Sequence, residues 1–133
     1  MIYTAPMTQQ EAVEHWKKGA RAALKMARHA FDDGEHEFVL FHCHLAVEKA
    51  LKTLHIREHG EAAPTTHDLP YLATLLSRPF TPEHLELFRG LNTFAVAARY
   101  SDPFWAKDFA TEEQAHLWLD RTARIIPALI DET

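Results

Sequence analysis

Apolar residues recur at three- and four-residue steps through most of this chain, in runs separated by Gly, Pro and Asp. The first run, Val13, Trp16, Ala20, Ala23, Ala27 and Phe31, marks one face of an amphipathic helix. Thr8 followed by Glu11 reads as a capping box at its start, and Asp32-Asp33-Gly34 as its end. Lys17, Lys18, Arg21, Lys25 and Arg28 fill the remaining surface. Residues 1–7 lack periodicity and read as a loose lead-in.

The stretch from Glu35 to Glu58 contains no Gly or Pro and is apolar on more than one side. Leu40, Val47, Leu51 and Leu54 form one row, and Phe38, Phe41, Leu45 and Ile56 widen it. A helix apolar over so much of its circumference is expected to be covered by several neighbours. What is left over is a narrow polar seam: His44, Glu48, Lys52, His55 and His59 fall within about 80° of one another.

After a loop over residues 59–65, Thr66 is placed to cap a short third helix, His67 to about Ser77, with Pro70 in its first turn. Thr81-Pro82 opens a fourth, whose apolar residues run from Leu85 to Ala98 and which ends near Tyr100, ahead of Pro103. An aromatic loop (Phe104, Trp105, Phe109) leads to a second capping box, Thr111 to Gln114. The fifth helix then carries Ala115, Trp118, Leu119, Thr122, Ile125, Ile126 and Leu129, with Pro127 expected to kink or weaken its last turn. The pattern predicts one all-α domain over residues 1–133, an up-and-down four-helix bundle with a short extra helix.

Composition narrows this little. A net charge of −5 disfavours a domain that coats nucleic acid through a basic surface. No run reaches the ~18 apolar residues of a membrane span, no basic-then-apolar leader opens the chain, and Cys43 stands alone, so a cytoplasmic protein is expected. His55 and His59 are spaced i,i+4, but no HExxH or Cys/His cluster accompanies them and no Gly-rich phosphate loop is present. Neither a metal nor a cofactor is expected.

Three segments in order, AVEKALK in the second helix, THDLPYL entering the third and ARYSDP closing the fourth, resemble the HEPN family. The resemblance covers roughly Glu11 to Ile130. It implies a small helical bundle, commonly a homodimer, that often pairs with a minimal nucleotidyltransferase, sometimes as toxin and antitoxin. Other branches of the family are metal-independent endoribonucleases that carry an Arg, four to six residues, then a His. Here Arg99 stands where that Arg is expected, but YSDPFWAKDFATEEQA separates it from His116. Arg78 and His84 have the spacing, yet they flank Pro79 and Pro82 in the wrong element.

The expectation is therefore a non-catalytic module that binds a nucleotide or a nucleotidyltransferase partner. Its cleft would be lined by Glu48, Lys52, His67, Arg99 and Asp102. Each has an ordinary structural alternative: an exposed i,i+4 pair for Glu48 and Lys52, a packed loop imidazole for His67, and a turn-locking bridge for Arg99 and Asp102. His44, His55 and His59 rank behind them, because no residue outside the helix asks for them. The competing readings are a divergent endoribonuclease, with Arg99 as phosphate clamp and His67 or His44 as acid–base, and a purely structural dimerisation domain.

Overall fold

The computed structural model describes residues 7–99 and 108–131, with the backbone alone for Val96, Ala98 and Arg99. These residues form five helices and no strand: α1 (Gln9–Asp32), α2 (His36–His59), α3 (Leu69–Thr74), α4 (Pro82–Arg99) and α5 (Glu112–Ile130). α1 begins where the capping box places it. Thr8 Oγ1 accepts from the Glu11 amide at 3.0 Å and donates to the Glu11 carboxylate at 3.1 Å. Gly34 ends the turn that follows with φ 75°, a left-handed conformation that a residue with a Cβ resists. α1 and α2 are thereby folded back against each other.

α2 is the centre of the bundle and packs on all four other helices. Its core residues include Val39, Leu40, Ala46, Val47, Ala50 and Leu51, each fully buried. Cys43 joins them, and burial pushes its thiol up to about 12, with Thr122 pulling slightly the other way. A thiol held protonated is packing, not a nucleophile. The small residues Ala20, Ala23 and Ala27 let α1 lie close along this helix. Phe38 and Phe41 depart from the expected pattern: they are 56% and 45% exposed. Near the N-terminal end of α2 that side of the helix has less cover than periodicity alone suggests.

The third helix is shorter than the predicted His67–Ser77 span, and its cap is Asp68, whose carboxylate accepts from the Tyr71 amide at 3.1 Å. Thr66 instead accepts from the Asp68 amide at 3.2 Å, inside the loop. At the other end the chain leaves the helix because it is tied back to α2. The Leu75 carbonyl accepts from His59 Nε2 at 2.7 Å and the Ser77 amide donates to Glu58 at 2.8 Å. That amide also holds the Glu58 carboxyl below the usual carboxylate range. α4 then returns along α2 from its C-terminal end.

α5 closes the bundle. Thr111 accepts from the Gln114 amide, as the second capping box requires, and the helix continues through Pro127 to Ile130. Arg57 of α2 donates to the Ile130 carbonyl at 3.2 Å, occupying an acceptor that the helix end leaves open. Tyr100, Asp102, Phe104 and Trp105 lie outside the described residues.

Candidate functional site

Glu48 projects from the middle of α2 and is buried, so both carboxylate oxygens need partners inside the protein. Oε2 lies 3.3 Å from Nζ of Lys52, one turn further along the same helix. Oε1 accepts from Nδ1 of His67 at 2.8 Å. The side chains of Glu48 and Lys52 are 5% and 8% exposed, whereas that of His67 is 66% exposed. This is not the surface ion pair that i,i+4 spacing most often produces. It is a buried base beneath one outward-facing imidazole.

Lys52 is enclosed from α1. Its ammonium sits 5.3 Å from the centre of the Trp16 ring, within reach of the negative ring face. Trp16 thus serves as more than a core residue of the first helix. A desolvated lysine needs such a neighbour, because one carboxylate oxygen satisfies only part of its three donors.

His67 is held at a second point. Its carbonyl accepts from Nε2 of His44 at 2.9 Å, and Asn92 of α4 hydrogen bonds to the same His44 ring. Asn92 Oδ1 also accepts from the Leu69 amide at 3.0 Å. A polar chain therefore runs from α4 through His44 to the His67 backbone, and from the His67 ring through Glu48 and Lys52 to Trp16. Four segments meet there. The seam's His44, ranked second by sequence, belongs to the site, while His55 and His59 form a separate tilted pair with ring centres 4.5 Å apart.

The chemistry of this arrangement follows from the tautomer. A carboxylate on Nδ1 keeps the proton there, so neutral His67 presents Nε2 outward as a lone pair and protonated His67 presents a donor. The protonated form donates to a phosphate oxygen, and the neutral form accepts from a ribose hydroxyl. The nearby helix end does not add to this: Asn92 and Asp68 already take the Leu69 and Tyr71 amides, and Pro70 has none. Contact with a ligand falls to the His67 ring.

The structure brings together Glu48, Lys52 and His67 of the five predicted site residues. The Arg99 side chain and Asp102 lie outside the described residues. Asn92 meets His44, and α4 runs antiparallel to α2. The helical rise therefore sets the Arg99 backbone about 10 Å beyond Asn92, on the side away from Glu48. Sequence reasoning missed Asn92 and the second role of Trp16. The available signal was an Asn inside α4, a poor helix former that usually earns its place through side-chain hydrogen bonds.

Burial holds His44 and His55 below the usual imidazole value of 6.5, with the Glu48 charge opposing the shift at His44. Both favour the neutral ring in the folded chain. The unfolded chain then binds more protons once pH falls below 6.5, so stability is fully present above that value and is lost as pH falls through the folded values. Urea midpoints are expected to fall between about pH 7.5 and about pH 5, and less steeply in a His44→Gln, His55→Gln variant. A wild-type midpoint flat across that window would contradict the burial of these rings.

Among the described residues, no group of three His, Cys, Asp or Glu is placed to hold a metal ion, and no helix is long and apolar enough to cross a membrane. A family model for the HEPN domain matches residues 13–132. The crystal structure of TT1696 from Thermus thermophilus is similar at 26% identity and TM-score 0.77, over 90% of this chain and 95% of that one. The structure of ST0689, described as an archaeal HEPN homologue, is similar at 27% identity and TM-score 0.69, over 88% and 93%. A comparison with curated proteins finds no match. With the three motifs in their order, the helical bundle around α2 and a family match over nearly its whole length, the chain belongs to the HEPN domain family.

Proposed function

We propose that this HEPN domain is a non-catalytic nucleotide-binding and interaction module, homodimeric and partnered by a minimal nucleotidyltransferase in a toxin–antitoxin-type pair. The observation that carries the nucleotide part is His67: an exposed imidazole fixed at its ring by buried Glu48 and at its carbonyl by His44. A residue held at both its ring and its backbone loses little further freedom when a ligand binds, which favours recognition over random contact. Glu48 and Lys52 act beneath it as supports, and Arg99 is the further cation offered to a phosphate. Exposed Phe38 and Phe41, one turn apart on the central helix, support a second copy as the cover for that end of α2. Isothermal titration with nucleoside triphosphates tests the reading. Heat of binding that disappears in His67→Ala is expected, and no heat above dilution at millimolar ligand would sink it.

One observation favours a second reading. A carboxylate on Nδ1 with Nε2 facing outward is also how an acid–base histidine is held, so His67 with Arg99 could cleave RNA. Cleavage of total RNA that is lost in both His67→Ala and Arg99→Ala would replace the non-catalytic module by an endoribonuclease. Cleavage that survives both would exclude these residues.

A further inference from the structure

The outer face of α1 carries a row of charges that the site around His67 does not use. Glu14, Lys18, Lys25, Arg28 and Asp32 lie within about 80° of one another on this helix, and all are exposed. Arg21 lies within the same row and is paired with Asp131 at the end of α5, as is Lys17, just beside the row, at 3.9 Å. Among the described residues, Lys18, Lys25 and Arg28 have no carboxylate within ion-pairing distance. The row therefore reads acidic, three unpaired cations with the Asp131-neutralised Arg21 among them, acidic. Beside it stand Ala22 and Met26, the latter 51% exposed.

We infer that this row is a docking surface for an amphipathic helix of another protein, acidic at its centre and basic at its ends. The three cations span about 15 Å, with steps of seven and three residues, which match carboxylates set along one face of a facing helix. Glu14 and Asp32 bound the contact to about 27 Å, roughly eighteen residues. Met26 offers a flexible apolar anchor for the partner's flank. A nucleic-acid duplex fits the row poorly. It presents one charge per about 1.7 Å, some nine against three cations, and continues past both ends onto Glu14 and Asp32. A second copy of α1 fits worse, since laying the row antiparallel on itself sets cation against cation.

The test uses the full chain and a labelled eighteen-residue peptide. The peptide carries three Glu on one helical face, Leu beside them and Lys at both ends, and anisotropy is read at about 50 mM salt. Binding is expected, weakened about tenfold by Lys25→Glu and recovered when the facing peptide Glu is changed to Lys. Lys25 is exposed, and circular dichroism of Lys25→Glu checks that the helix persists. No binding by the peptide, or binding indifferent to Lys25→Glu, overturns the inference. Tighter, Lys25-dependent binding of an eighteen-nucleotide strand overturns it in favour of nucleic acid.

Discussion

Replacing Glu48 by Ala is expected to lower the unfolding free energy by about 3 kcal/mol, the effect of removing one partner from a buried ion pair. The cause is what remains. Lys52, 6% exposed under Trp16, loses the carboxylate that pairs with it. His67 loses the acceptor for its Nδ1 proton, but its exposed ring finds water at little cost. The reverse truncation, Lys52→Met, is expected to cost less. It leaves Glu48 with its hydrogen bond from His67 still in place, and through that ring a path to solvent. Changing both residues to Met should recover most of the loss, because a well-packed apolar pair avoids desolvation altogether. Urea unfolding of the four proteins decides the matter. A Glu48→Ala loss below about 1 kcal/mol would mean that the pair behaves as a solvated one.

The same series separates stability from recognition. If the proposed role of Glu48 is to orient His67, then the double Met variant folds well yet binds nucleotide poorly. His67→Ala should also lose binding, at a stability cost of about 1 kcal/mol, smaller than that of Glu48→Ala, because it removes the partner of Glu48 Oε1. Glu48→Gln provides the intermediate case: its amide oxygen can still accept from His67 while the charge on Lys52 goes unanswered.

How much of this was legible beforehand depends on the kind of signal. The long helices follow from periodicity and capping chemistry, and Thr8, Thr81 and Thr111 all cap where the sequence places them. Glu48 and Lys52 stood out because they are charged residues on a helix otherwise apolar on several sides. The partner from outside the helix was legible only through the THDL segment, which supplies His67. What stayed hidden are contacts to backbone. His44 donates to a carbonyl, and any residue at position 67 would supply one, so no pattern of side chains announces it. Periodicity places the exposed pair Phe38 and Phe41 inward for a related reason. A helix apolar on all sides does not say which side lacks a neighbour. The third helix ends early because Leu75 and Ser77 are taken by α2, a tertiary contact that overrides the local apolar run.

A glycine that sequence periodicity passes over marks a close helix contact. Gly90 lies inside α4, where Ala is ordinarily preferred by about 1 kcal/mol. A Cβ there would stand 2.4 Å from Cη2 and 2.8 Å from Cζ3 of Trp118 on α5. The indole has little room to retreat. Its Nε1 donates to Gln114 at 3.0 Å, Phe94 meets it edge-on with ring centres 5.1 Å apart, and the Arg121 guanidinium lies 5.1 Å from the ring centre. Gly90→Ala is therefore expected to destabilise by about 2 kcal/mol despite its better helix propensity, as overpacking does in a filled core. The background decides whether Trp118 is the cause. In Trp118→Phe the outer ring atoms are gone, and there Gly90→Ala should become neutral or stabilising by up to about 1 kcal/mol. A loss of the same size in both backgrounds would place the strain elsewhere along α4, and the α4–α5 contact would then not depend on this glycine.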